Sequence, residues 1–337
     1  MACILRRLLP LVLSVLLLSA CKRGELSRAW LEVCSGFAIA GSSQGLLVAR
    51  AHVGDPPAAP QPGESSLKRI DQTLESLDSN PLSDAPLNIV IGNRTWSGVR
   101  SNARGYIDLE DLTGFPPPLV RVQIQLEDPR YQAAPIVAEL PVYDAKPGLA
   151  IISDIDDTLL DSGVVHKAKM VENALVRSTW ELQAFPAAAE TLRRIGAGLP
   201  LFYISGSPWG FRKRIEDYFG RTGFPQGTFL LKRFSSEPLT DQMAYKWQHI
   251  SRVLSALPQK RWILFGDSGE SDPEIYRRFL TEYPDRVEAI YMHMVTPEPA
   301  SSPRFAGMRT FANWSELASL GKAPPATAPP AAGTAPH

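Results

Sequence analysis

Leu149-Ala-Ile-Ile-Ser-Asp-Ile-Asp-Asp-Thr-Leu-Leu160 decides how this chain folds. Its first half is an apolar run without helical period, as in a central parallel strand buried on both faces. The run ends in acid: Asp154, Asp156 and Asp157, followed by Thr158. A buried strand that stops in carboxylates puts them at its carboxyl edge, where open α/β sheets bind ligands. Like charges at this spacing repel, so a cation is expected among them. Hard oxygen ligands favour Mg²⁺. An acidic turn that only ends a strand and caps a helix would read the same, so Asp-x-Asp alone does not decide between the two.

Two later stretches repeat the pattern. Pro200-Leu-Phe-Tyr-Ile-Ser-Gly-Ser-Pro-Trp209 is a second apolar strand, ending in Ser205, Gly206 and Ser207 with Pro208 suited to a first helical turn. Backbone N–H groups at such a helix start make an anion site. Trp262-Ile-Leu-Phe-Gly-Asp-Ser-Gly-Glu-Ser-Asp-Pro273 is a third. Asp267 sits at its end, placed to complete a metal site with Asp154, and Asp272 either ligates or caps the next helix. Lys246, near the start of a helix, opposes the helix dipole. A partner among carboxylates and phosphate would explain it, and Lys232 is its rival.

Working outward, strands alternate with helical stretches after Lys146-Pro-Gly148. Strands are expected at 149–153, 199–204, 228–231, 261–265 and 287–292. Helices are expected around 168–180, 186–196, 208–219, 241–256 and 272–282. This order predicts a doubly wound α/β domain over 147–320 with a parallel sheet. The motifs lie close together, which leaves no room for a large cap.

Residues 43–146 read as a small β-rich, sandwich-like domain without evident chemistry. Strands are expected at 45–53, 87–91, 119–126 and 136–142, with a hairpin or a tightly turned strand over 99–109. Leu119-Val-Arg-Val-Gln-Ile-Gln-Leu126 alternates most clearly. A short helix is expected over 66–77. Residues 21–42 are expected to form an anchor-proximal segment, with an amphipathic helix over Glu25 to Phe37.

The N-terminus reads as a targeting signal. Arg6 and Arg7 precede the apolar run Leu8 to Leu18, followed by Ser19, Ala20 and Cys21. This predicts an export signal over 1–20. Leu-Ser-Ala-Cys21 resembles a bacterial lipobox, which implies cleavage before Cys21 and lipid attachment there; Lys22 resembles the outer-membrane sorting pattern, facing the periplasm. The Pro/Ala-rich stretch 321–337 cannot bury a core and is expected to be a disordered tail. With Cys3 in the signal and Cys21 lipidated, Cys34 is left without a disulfide partner and reads as buried and inert. Formal net charge is zero, with 35 basic and 35 acidic residues, so no basic surface argues for nucleic acid.

Three strand-end clusters and a lysine, in this order, resemble the haloacid dehalogenase (HAD) superfamily of phosphohydrolases. The wording Ser-Asp-Ile-Asp-Asp-Thr, Tyr-Ile-Ser-Gly-Ser-Pro-Trp and Gly-Asp-Ser-Gly-Glu-Ser-Asp-Pro-Glu-Ile-Tyr resembles the actin-patch-associated phosphatidate phosphatase catalytic-domain family, over about 148–296. Tyr245 stands where that family has His, and Gly206 where Asn is common. The resemblance implies Mg²⁺-dependent phosphomonoester hydrolysis. Asp154 would be the nucleophile, Asp156 the acid and base, and Lys246 the charge-stabilising lysine. Ser205, Gly206 and Thr158 would bind substrate. Asp154, Asp156 through its backbone carbonyl, Asp267 and Asp272 would hold the metal. A phosphorylated substrate, foremost phosphatidate or a related lipid phosphate, and attachment to a membrane through Cys21 follow as expectations. A soluble phosphomonoester, transfer of phosphate to an acceptor other than water, and a membrane-anchored binding lipoprotein with a degenerate phosphatase fold stay open at this point.

Overall fold

The computed structural model describes residues 26–58, 80–161, 182–233 and 242–319. The export signal, Cys21, the expected helices at 66–77 and 168–180, and the C-terminal tail lie outside the described residues.

Two sheets organise the chain. The first is eight-stranded and mixed, and curls until it is nearly barrel-like. Its strands are β1 (Ser27–Ala40), β2 (Leu46–Val53), β3 (Pro86–Ile91), β4 (Arg94–Arg100), β5 (Tyr106–Glu110), β6 (Leu119–Leu126), β7 (Tyr131–Gln132) and β8 (Ile136–Asp144). The order is β4-β3-β6-β8-β1-β2-β5, with β7 on the side of β1. Most pairs are antiparallel, but β1 runs parallel to β7 and β8. The expected sandwich is therefore one continuous sheet wrapped on a single core, which gathers Leu31, Leu47, Leu87, Ile89, Val122 and Ile124. Alternation in β6 is regular, with Val120, Val122 and Ile124 inward and Arg121, Gln123 and Gln125 outward.

The helix expected over Glu25 to Phe37 is instead the long strand β1, at the junction of the two halves of that sheet. The spacing of Trp30, Leu31, Cys34 and Phe37 imitates a helix because a bulge between Val33 and Ser35 breaks the two-residue period. Before it, Ala29, Leu31 and Val33 face the β core. After it, Cys34, Phe37 and Ile39 turn to the second domain. Both faces are covered there, so no polar alternation survives in the sequence.

The second sheet has six parallel strands: β9 (Gly148–Ser153), β10 (Leu201–Pro208), β11 (Thr228–Lys232), β12 (Lys260–Asp267), β13 (Val287–His293) and β14 (Arg309–Phe311). Among the described residues, four helices accompany them: α1 (Ala188–Ile195), α2 (Arg212–Thr222), α3 (Gln242–Ala256) and α4 (Asp272–Glu282). The order is β11-β10-β9-β12-β13-β14. It reverses between β9 and β12, the place where parallel sheets leave a crevice outside their carboxyl ends. Ala150, Ile151 and Ile152 of β9 are fully buried between those neighbours.

The helix expected from 208 starts later. β10 continues through Pro208, a 3-10 turn covers Trp209–Phe211, and α2 begins at Arg212. Pro208 is extended, with φ −60° and ψ 145°, so Ser205 and Ser207 stand on a strand end rather than a helix N-terminus. A register shift between Ser205 and Pro208 against β11 lifts this end out of the regular ladder.

The two sheets share a boundary. Ser35 Oγ donates to the carbonyl of Phe229 at 2.6 Å. The ring of Phe37 meets Phe202 edge-on at 5.3 Å. The Tyr143 hydroxyl reaches the carbonyl of Leu201 at 3.1 Å and Thr228 Oγ1 at 2.9 Å. Arg233 grips Asp108 with both carboxylate oxygens. Cys34 is buried in this boundary, and burial pushes its thiol well above the usual range, as suits an inert cysteine.

Candidate active site

Asp154 follows β9 directly, and its backbone N–H donates to the carbonyl of Phe265 on β12 at 2.9 Å. The side chain is 1% exposed. Its Oδ1 lies 2.8 Å from Lys246 Nζ, and its Oδ2 accepts the Thr158 hydroxyl at 3.1 Å. Thr158 is itself fully buried, with its hydroxyl engaged on Asp154. The chain makes this return with Asp157 in the left-handed region, φ 55°, one of the few non-glycine residues there. That turn is braced: Asp157 N–H donates to the carbonyl of Leu160, and the Asp157 carbonyl is 2.8 Å from His293 Nδ1.

Asp156 sits in a different environment. Its Oδ2 accepts hydroxyls from Ser205 at 2.9 Å and Ser207 at 2.5 Å. Ser205 in turn accepts the Ser207 N–H at 2.9 Å, with Gly206 between them on the lifted end of β10. Ser207 lies in the quoted motif without a local pattern that sets it beside Ser205; the two hydroxyls flank Asp156 together. Burial raises the Asp156 pKa above the ordinary carboxylate range, and the two serine hydroxyls oppose that rise.

The third cluster supplies acid from β12 and the start of α4. Asp267 is fully buried, and its Oδ1 accepts the N–H groups of Gly269 at 2.7 Å and Glu270 at 3.1 Å. Its Oδ2 is buried with no hydrogen-bond partner among the described residues. Asp272 does not cap its own helix. Its Oδ1 lies 2.6 Å from Lys246 Nζ, and its Oδ2 accepts the Asp267 N–H at 3.3 Å. Gly266 makes this approach possible. A Cβ there would stand 2.7 Å from Asp272 Oδ2 and from the Tyr276 ring.

Lys246, on the second turn of α3, thus stands between Asp154 and Asp272, with Glu270 Oε2 at 3.5 Å. Burial works against its charge, but the carboxylates of Asp154, Asp272 and Glu270 more than offset that and hold the ammonium well above the usual lysine range. Burial likewise pushes Asp154 and Asp267 well up, with neighbouring carboxylates adding to the rise and Lys246 opposing it. One ammonium does not balance this much buried carboxylate. Lys232, the rival lysine, is buried at the end of β11, its Nζ 5.8 Å from the Tyr245 ring centre, and it makes no ion pair with this cluster.

Among the described residues, Asp154, Asp267 and Asp272 each offer an oxygen within 4.8 Å of the others. The unsatisfied Asp267 Oδ2, the all-carboxylate donors and the excess negative charge fit a hard divalent cation. Apart from the rival Lys232, the candidate site residues meet at one edge of the second sheet, in two groups. Asp154, Thr158, Lys246, Asp267 and Asp272 form one; Asp156, Ser205 and Gly206 form the other. Glu270 and Ser207 belong beside them; both lie within the quoted motifs, but nothing in their local pattern singles them out.

The comparisons with known proteins fall on the same region. Residues 149–294 match the family model described as phosphatidate phosphatase APP1, catalytic domain. The phosphatidate phosphatase APP1 of Saccharomyces cerevisiae is 31% identical over 192 residues, which cover 54% of this chain and 32% of that protein. An uncharacterised protein of Schizosaccharomyces pombe is 24% identical over 210 residues, covering 58% of this chain and 34% of its own. The chain spans about a third of the length of these relatives. Among solved structures, a carbohydrate acetylesterase from Xanthomonas citri covers 76% of this chain and 57% of its own at 10% identity and TM-score 0.27, too slight a likeness to speak for fold or chemistry. The acidic, hydroxyl and lysine side chains of this site all lie within residues 149–294, the stretch that matches the phosphatidate phosphatase APP1 catalytic-domain model.

Proposed function

We propose that this chain is a Mg²⁺-dependent phosphomonoester hydrolase that forms a phosphoaspartate on Asp154, on a doubly wound domain of the HAD type. Its first substrate is phosphatidate, converted to diacylglycerol and phosphate. The observation that carries this reading is the pair of carboxylates in unlike surroundings. Asp154 is gripped by Lys246 and Thr158, while Asp156 is held only by two hydroxyls. Carboxylates whose environments set them apart are suited to separate roles.

In the first step an oxygen of Asp154 bonds to phosphorus as the phosphorus–alkoxide bond breaks, and Asp156, as the carboxylic acid, gives its proton to the leaving oxygen. In the second, water bonds to phosphorus, Asp156 as carboxylate takes the water proton, and the Asp154–phosphorus bond breaks. Free phosphate leaves and both carboxyl groups return to their starting forms. The raised pKa of Asp156 suits a group that must hold a proton for the first step. Lys246 offsets charge beside the nucleophile, and Ser205, Ser207 and the backbone of Gly206 face the same crevice as phosphoryl partners. Asp154, Asp267, Asp272 and the Asp156 carbonyl would hold the divalent cation. That cation supplies charge screening, so that a phosphate anion can approach an anionic nucleophile.

The lipid substrate rests on the family. The motif at Leu18 to Cys21 supports export and lipid anchoring at Cys21, on the periplasmic face of an outer membrane, which would keep the site beside its substrate. Phosphate release is to be measured from phosphatidate in mixed micelles and from p-nitrophenyl phosphate, each with Mg²⁺ and with EDTA. Metal-dependent release from phosphatidate is expected. Release from the small ester alone would discard the lipid and keep the phosphatase. Release from neither would favour the binding lipoprotein.

A further inference from the structure

The family match ends at residue 294, yet both loops of the site are tied to residues beyond it. The acidic loop is held from one side by Arg304. Its guanidinium donates to the carbonyl of Ser268 at 2.6 Å and to that of Glu270, and forks onto Glu274 at 2.6 and 3.0 Å. Glu298 joins at 3.2 Å. The Ser268 hydroxyl accepts the N–H groups of Val295 at 2.9 Å and Thr296 at 3.2 Å. The Ser268 carbonyl shares its peptide with the Gly269 N–H, and Asp267 Oδ1 accepts the N–H groups of Gly269 and Glu270. Arg304 thus fixes the carbonyls of the same turn whose amides aim Asp267.

The nucleophile loop is held from another side by Trp314. The indole is buried, and its Nε1–H donates to the carbonyl of Thr158 at 2.9 Å. Thr158 then donates its hydroxyl to Asp154. The ring packs on Phe265 at 5.3 Å and meets Phe311 edge-on at 5.2 Å. Trp314 therefore acts on Asp154 through one intervening residue.

We propose that residues 295–319 are a working part of the catalytic centre. Arg304 is a positioning residue for the metal-side acidic loop, and Trp314 is one for the nucleophile loop. Groups that orient metal ligands from behind change metal affinity by roughly 10- to 100-fold when lost, and small displacements of reacting groups lower turnover. Only the turnover arm of the test rests on the function proposed above.

The test uses the full chain and three variants. Arg304→Lys keeps the charge but loses the fork. It should weaken Mn²⁺ binding, read by electron paramagnetic resonance, by about tenfold. Trp314→Phe keeps an aromatic ring without the donor. It should speed hydrogen exchange of the Asp157, Leu159 and Leu160 amides, which the loop itself protects. It should also lower kcat on p-nitrophenyl phosphate by about tenfold with KM unchanged. Leu317→Ala is the control, a buried apolar loss in the same segment that should lower the melting temperature without either effect. The proposal is overturned if Arg304→Lys binds Mn²⁺ like wild type, if Trp314→Phe exchanges like wild type, or if Leu317→Ala reproduces both changes. A wild type that binds Mn²⁺ yet releases no phosphate would sink the phosphatase reading, while the metal and exchange arms would still decide this one.

Discussion

Asp154 and Asp156 lie two residues apart and differ in every contact. The first faces an ammonium and two further carboxylates; the second faces two serine hydroxyls. Asp156, the proposed proton carrier, can be changed without disturbing the buried charge cluster, because it makes no hydrogen bond or ion pair with Lys246. Asp156→Asn keeps the size and accepts the same hydroxyls through its amide oxygen. It should fold with an unchanged melting temperature and lose turnover by about 10² to 10⁴, the usual contribution of general acid–base catalysis. Wild-type turnover in that variant, on any substrate that works, would remove Asp156 from the mechanism. The residues proposed to carry chemistry were legible because they follow apolar strands and repeat in three places. The residues that hold them were not. Trp314 and Arg304 act on partners more than 30 residues away in sequence, and neither differs in its local pattern from an ordinary core tryptophan or surface arginine.

Among the elements, legibility followed burial. The parallel strands read as continuous apolar runs, and β6 as strict alternation, because one face or both are covered throughout. β4 is mostly exposed and β14 has three residues, so neither imposes a pattern. β1 deceived because its bulge moves the apolar period from one face to the other. β1 and β2 also share a buried histidine. His52 is fully buried in β2, stacks on Trp30 at 3.9 Å and meets Glu32 Oε1 at 2.8 Å. Burial lowers its pKa despite that carboxylate. A histidine depressed in the folded state binds a proton more readily when unfolded. Its contribution is therefore present above the unfolded pKa of about 6.5 and is lost as pH falls below it. Unfolding by urea should show stability declining from pH 7 to pH 5, and His52→Gln should reduce that slope, leaving the share of His249, whose pKa burial lowers to about 3. An equal slope in the variant would assign the decline to other groups.

At the scale of the molecule, β1 makes one body of two sheets. Its first half closes the core of the β-rich sheet, and its second half, with Phe37 and Cys34, completes the core of the parallel domain. A shared apolar boundary of this kind, reinforced by the Ser35, Tyr143 and Arg233 bonds, couples the unfolding of both sides. Calorimetry should show a single transition. Phe37→Ala should move that transition down by about 3 to 5 kcal/mol; two separate transitions would contradict the coupling. The β-rich sheet thus has a physical task in supporting β10 and β11 of the parallel sheet.

The central claim is that Asp154 is the nucleophile of a metal-dependent lipid phosphatase. The most direct measurement compares Mg²⁺-dependent phosphate release from phosphatidate by wild type and by Asp154→Asn, with folding of both checked by circular dichroism. Release by the wild type that EDTA abolishes, and none by a folded Asp154→Asn, is the predicted result. Release by the variant at a rate near that of wild type would contradict it.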